Sequence, residues 1–209
     1  MGRPAGFEEA AAVRAARRVF WRHGFEQASV PDLERATGLG RSSLYHAFGS
    51  KRGLYDAALA SYLDEVVRPR LRPLQEPPVA PGALATYLER LHAALTTPHA
   101  LDAGDGDDAV HGCLLLNAGT APIGQDEAVR AVVAAYRREL RAAVADGLAA
   151  ARPDLADDAR GQLAESVTAL VVAALALVRV DPGAAGDSLR TALAAARPRR
   201  PGEDDHPRG

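Results

Sequence analysis

Apolar side chains recur every three or four residues along most of this chain, the spacing of helices with one buried face. Val13, Ala16 and Phe20 share one face of a first predicted helix, roughly 7–23, and Arg14, Arg18 and Arg22 lie on its far side. Residues 1–6 read as a loose arm, and Gly24 supplies a stop. Ser29-Val30-Pro31-Asp32 then opens a second helix: Ser29 caps, Pro31 suits the first turn, and Asp32 returns the capping bond. Leu33 and Ala36 are its expected inward residues, and Gly38 ends it. After the tight turn Leu39-Gly40, a short third helix, about 41–47, carries Leu44 and Phe48 inward. Ser50 caps a fourth, which holds Leu54, Ala58, Tyr62 and Val66 and runs to about Arg68. Pro69, Pro73, Pro77, Pro78 and Pro81 predict an interruption with at least one linker. Further helices are expected at about 82–97, 110–119, 125–151, 155–179 and 184–196, nine in all.

Composition agrees with an all-α chain. Hydrophobic residues make up 47%, aromatics only 5%, and Ala, the best helix former, is very frequent. The single cysteine, Cys113, excludes an intrachain disulfide framework and a Cys-rich zinc module. No apolar run follows a basic segment near the start, so a cytoplasmic protein is expected. The uncharged stretch Ser166 to Val178 falls short of the about 20 residues of a spanning helix and reads as a buried one. The net charge of −2 hides an asymmetry: residues 1–52 carry about +4, the rest about −6. That asymmetry suggests a basic head on an acidic body.

Two short helices joined by a Gly-containing turn, behind a longer basic helix, form a helix-turn-helix pattern. Its second helix must offer short polar side chains to a DNA groove, with phosphate contacts on its flanks. Arg41, Ser42, Ser43, Tyr45 and His46 project away from the Leu44/Phe48 face. Arg41 suits a guanine edge or a phosphate, and the two serines permit close approach. Tyr45, His46 and Lys51 suit phosphate, as does Ser29 at a helix N-terminus.

Residues 7–63 resemble the N-terminal domain of the TetR family of bacterial transcriptional regulators. The resemblance is carried by Val19-Phe20, Gly24-Phe25, Ala28-Ser29-Val30-Pro31-Asp32-Leu33, Ala36-Thr37-Gly38-Leu39-Gly40 and, above all, Ser43-Leu44-Tyr45-His46-Ala47-Phe48-Gly49-Ser50-Lys51. Three positions depart from the family pattern: Gly40 where a Ser or Thr cap is usual, Ser42 where Gly or Ala is common, and Gly53 where an acid is common. The resemblance implies a helix-turn-helix DNA-binding domain over 1–52, a helical ligand-binding and dimerisation domain over 53–198, and a disordered tail over 199–209. It also implies a homodimer through helices eight and nine, a double-stranded pseudo-palindromic operator, and release by a small-molecule inducer. Helix eight is apolar on almost every side, and a dimer partner or the monomer's own core would cover it.

Tyr62, Tyr87, His92, His99, Asn117 and Tyr136 are candidates to line the ligand cavity, with Tyr136 and Asn117 the preferred pair. Gly112-Cys113-Leu114 resembles a segment of one branch of the family, some members of which sense electrophiles or oxidants through this cysteine. Cys113 beside His111 is therefore either a low-pKa sensing thiol or a small packing residue. His111 and Cys113 alone are too few for a metal. Asp102, Asp105, Asp107 and Asp108 fail the EF-hand spacing, because position 12 from Asp102 is Cys113. No cofactor is expected, and no catalytic set appears beyond a remote Cys113/His111 nucleophile pair. The reading is a non-enzymatic, ligand-responsive regulator, most simply a repressor. A DNA-binding protein answering to a protein partner, or to no ligand, is the other possibility of that kind.

Overall fold

The computed structural model describes residues 5–97 and 111–197, and its described residues form helices and no strand. The arm at residues 1–4, His99, the acidic stretch 102–108 and the tail from 198 lie outside them. The head is α1 (Ala5–Gln27), α2 (Val30–Thr37) and α3 (Arg41–Phe48). The helical run of α1 outlasts the expected end, but Gly24 breaks it at φ 76° and ψ 170°, a left-handed φ that residues with a side chain rarely adopt. Phe20, Leu33, Leu44 and Leu54 fill the head's core. Ala36 is exposed, not inward, because eight-residue α2 presents only the Leu33 side to α1.

The fourth helix is longer than its prolines predict. α4 (Lys51–Tyr62) passes through a π-helical turn, Leu63–Val67, directly into α5 (Arg68–Gln75). Arg68 N–H bonds to Leu63 O, one residue farther back than in an α-helix. That wider turn lets Pro69 enter at the start of α5, where its missing N–H costs little. The interruption falls instead at residues 76–82.

The body adds α6 (Ala83–Thr96), α7 (Leu114–Thr120), a 3₁₀ turn Pro122–Gln125, α8 (Glu127–Ala151), α9 (Asp157–Leu177) and α10 (Pro182–Ala196). α7 begins later than expected, because Cys113 is extended at φ −102° and ψ 121°. α10 packs on α9 and α6, and α8 crosses α9, α5 and α6. Leu71, Leu74, Leu84, Leu88, Leu140 and Leu148 are buried there, in one contiguous cluster with the head's core. α9 is long and apolar enough to pass a length-and-hydropathy test for a membrane span. Yet Val167, Val171 and Ala174 are fully buried against the bundle, and Thr168 donates to Ala164 O at 2.7 Å.

Polar ties join head to body. Arg17 is buried and donates to Ser61 Oγ at 2.9 Å and to Glu65 at 3.0 Å. Arg52 grips both carboxylate oxygens of Asp126 at 2.8 Å, and Asp126 also caps α8. The guanidinium bond, followed by the amides of Val129 and Ala128, holds the Asp126 carboxyl far below the usual aspartate range.

A carboxylate whose pKa is depressed on folding stabilises the fold above its unfolded pKa, and that stabilisation fades as the pH falls toward the folded value. Asp126→Asn keeps a capping acceptor and removes the charge. It should lower the melting midpoint at neutral pH. The gap to wild type should hold down to about pH 4 and narrow below it. Melting curves across that range check this; a gap unchanged by acid contradicts it.

Candidate nucleic-acid interface and ligand cavity

The surface of α3 is set by the two turns that bracket it. Ser29 and Asp32 form a reciprocal capping box at the start of α2. Ser29 is exposed but already engaged: its Oγ donates to Asp32 and accepts from the Asp32 amide at 3.2 Å. Gly40 offers no side-chain cap to α3. Glu34 of α2 fills that role, its Oε1 accepting the Arg41 amide at 2.6 Å. At the other end Ser50 caps α4, accepting from the Gly53 amide at 3.0 Å.

Between these turns only Leu44 is buried. Arg41, Ser42, Ser43 and His46 are exposed, and Tyr45 is half-buried. The Arg41 guanidinium lies 5.4 Å from the Tyr45 ring centroid, which pre-arranges both groups on one face. Lys51 is held differently. Its ammonium sits 4.6 Å from the Phe25 ring centroid and 3.5 Å from Glu26 O. Burial pulls its pKa down and Glu26 partly restores it. Of the seven sequence candidates, Arg41, Ser42, Ser43, Tyr45 and His46 belong to α3, Lys51 opens α4 just after it, and Ser29 caps the start of α2. The arginine stripe of α1 is divided: Arg14 pairs with Glu65 at 3.5 Å, and Arg18 is exposed.

A second site lies in the body, a cavity of about 800 Å³ against Trp21, α4, α5 and α6. Tyr62 and Tyr87 line it; Asn117, Tyr136 and Cys113 do not. Asn117 lines a smaller recess of about 190 Å³ and donates to His111 O at 2.8 Å. Tyr136 and Cys113 are buried behind the wall, where the Tyr62 and Tyr136 hydroxyls hydrogen-bond the thiol. His92 is held by Thr96 and Arg190. Burial pushes the Cys113 thiol up, and the neighbouring bonds only partly oppose this. Full burial and this upward shift favour the packing reading of Cys113 over the activated thiolate. Cys113 packs as a small apolar residue. Among the described residues no group of three or more His, Cys, Asp or Glu side chains is placed to hold a metal.

The wall also holds Trp21, Arg70, Arg90, Leu91 and Leu175, none of which the sequence reading singled out. Apart from Trp21, which lies between the Val19-Phe20 and Gly24-Phe25 stretches, they come from segments without a motif. The available signals were that Trp21 is the sole tryptophan and that Arg70 stands among prolines.

The model of the tetR family of bacterial regulatory proteins matches residues 12–58. Over the whole fold the chain resembles the TetR family transcriptional regulator CifR, a cysteine variant of which was solved on a 26-base-pair operator duplex. The TM-score is 0.73 at 30% identity, covering 92% of this chain and 99% of that one. The chain belongs to the TetR family. Within the family it is 32% identical over 117 residues to the HTH-type transcriptional repressor ComR of Escherichia coli, covering 56% of this chain and 51% of that protein. The chain thus spans about half the length of that relative. It is 28% identical over 152 residues to the HTH-type regulator YezE of Bacillus subtilis, covering 73% and 74%.

Two departures from the TetR pattern have local causes. Glu34 replaces the missing cap at Gly40. At Gly53 a Cβ would stand 2.0 Å from Phe48 O, so the α3–α4 corner is closed to any side chain. The structure gives no reason for Ser42. Gly53→Ala should open that corner and cost about 1–3 kcal/mol, the usual penalty of overpacking. Denaturant unfolding measures it, and a variant as stable as wild type contradicts the close approach.

Proposed function

We propose that this chain is a transcriptional repressor that binds a pseudo-palindromic operator as a homodimer and releases it when a small molecule fills the body cavity. The exposed polar face of α3 carries the reading, because Arg41, Ser42, Ser43, Tyr45 and His46 present groove-sized donors around one buried anchor, Leu44. Ser29 and Lys51 flank it as phosphate contacts, and 1–52 acts as the DNA-binding head of a 53–198 body. DNA binding itself is the property of the family, and CifR is seen on its operator.

The second copy docks on α9 and α10. On α9, Ala169, Ala176 and Leu177 are exposed beside half-buried Leu170 and Ala173, one strip at helical spacing that exposed Val180 continues in the turn beyond the helix. Val180 is 84% exposed. Water contact there is unfavourable, and a mate would remove it. Dimerisation also sets the reach, since paired recognition helices must enter successive major grooves about 34–36 Å apart.

Ala173→Glu with Leu177→Glu should yield a folded monomer that has lost most operator affinity. Sedimentation and duplex titration check this, and a dimer that persists refutes the interface. Tyr45→Ala with Lys51→Ala should weaken operator binding by about tenfold or more and flatten the log affinity against log salt slope by about 1. Circular dichroism confirms that the helices remain. Unchanged affinity would exclude α3 as the DNA-contacting element.

A further inference from the structure

The body cavity has an uneven charge. Two arginines and one glutamate line it: Arg70, Arg90 and Glu76. Glu76 is already engaged, because Arg72, one turn earlier on α5, pairs with its carboxylate. Arg70 and Arg90 have no ion-pair partner among the described residues. Two guanidinium groups from different helices, α5 and α6, therefore share one concave site in which Glu76 is the one acid among the described lining residues. Burial pushes the Tyr62 and Tyr87 hydroxyls well above the usual tyrosine range, and the charge of Arg70 on the same wall only partly opposes this.

The rest of the wall is apolar or aromatic. Trp21, Leu91, Leu95 and Leu175 offer a non-polar bed, and Pro73 and Pro78 stiffen one edge. The Trp21 indole N–H does not await a ligand, since it donates to Gly112 O at 3.1 Å. Arg70 and Arg90 are exposed at the cavity's rim, and a neutral apolar ligand would gain no charge-assisted bond from either. A cation would meet like charge, and Glu76, the one acid among the described lining residues, is paired with Arg72. A carboxylate supplies acceptors in the planar geometry that guanidinium groups match, and such charge-assisted bonds are the stronger class. The volume, about 800 Å³, lies in the range of sites for drug-sized molecules.

We propose that this cavity takes an amphipathic organic acid, with its apolar body laid against Trp21 and the leucines and its carboxylate held by Arg70 and Arg90. The inference rests on the ligand-responsive reading above and names the class of effector for that same site.

The test uses the full chain without DNA and three probes of one shape: para-butylbenzoate, para-butylbenzamide and para-butylbenzylammonium. Trp21, the sole tryptophan, lines the cavity, so its fluorescence reports occupancy, and calorimetry gives the affinity. The anion should bind about tenfold or more tighter than the amide, and the cation weakest. Arg70→Gln and Arg90→Gln should each weaken the benzoate by about fivefold or more and leave the amide within about twofold. Unchanged amide binding shows that the fold survives, and Arg70→Lys should restore part of the preference for the anion. An amide that binds as tightly as the benzoate, arginine variants that bind the benzoate as wild type does, or no binding of any probe overturns the proposal. Operator titration with saturating benzoate then separates the two readings. If Arg-dependent binding leaves operator affinity unchanged, the ligand class stands and the ligand-responsive reading falls.

Discussion

The Trp21 indole binds the two halves of the molecule together. Trp21 is 2% exposed, its Nε1 donates to Gly112 O at 3.1 Å, and its ring meets Tyr62 edge-on at 4.7 Å. A buried indole N–H left without an acceptor would cost about 1–3 kcal/mol, so α1 is fixed to the segment that leads into α7. The preceding residue, Phe20, packs edge-on against Tyr55 at 4.9 Å inside the head. One turn of α1 thus belongs to the head's core and to the cavity wall at once. Glu26, which accepts the Ile123 amide at 2.8 Å, and the Arg52–Asp126 pair repeat the attachment nearer to α3.

The rod formed by α4 and α5 makes the second connection. Its α4 end begins at the α3 corner, and its far end supplies Pro69, Arg70 and Pro73 to the cavity. The π turn at Leu63–Val67 lies between them, and Arg14 and Arg17 of α1 both engage Glu65 within it. In the proposed regulator a ligand on Arg70 and Trp21 touches the two elements that carry the recognition helix, with no need for a longer route. Couplings of this kind are typically about 1–3 kcal/mol, enough to change operator occupancy many-fold.

Local signals made the head readable from sequence. Ser29, Asp32, Gly38 and Ser50 act as caps within a few residues of themselves, and the Leu33 and Leu44 anchors follow from helical spacing. Prolines misled the reading at α5, because a π turn upstream accommodates Pro69 and no single residue announces such a turn. Ala36 misled it because small residues satisfy a buried or an exposed face alike. Cavity residues were harder still. Tyr62 and Tyr136 are both buried on an inward helix face, yet only Tyr62 reaches the void. That distinction depends on how α4, α6 and α8 cross, which is a property of packing among distant segments. The burial of Cys113 has the same origin, since Tyr62 of α4 and Tyr136 of α8, remote in sequence, stand beside its thiol.

Hydrogen exchange of the full chain, alone and on a duplex selected by the protein from a random pool, tests the proposed contact most directly. Protection should rise across 29–51, centred on α3, and the selected duplex should contain two half-sites one helical turn apart. Added protection confined to the α9 and α10 surface, with the α3 amides exchanging as in the free protein, would contradict the assignment of α3 to DNA.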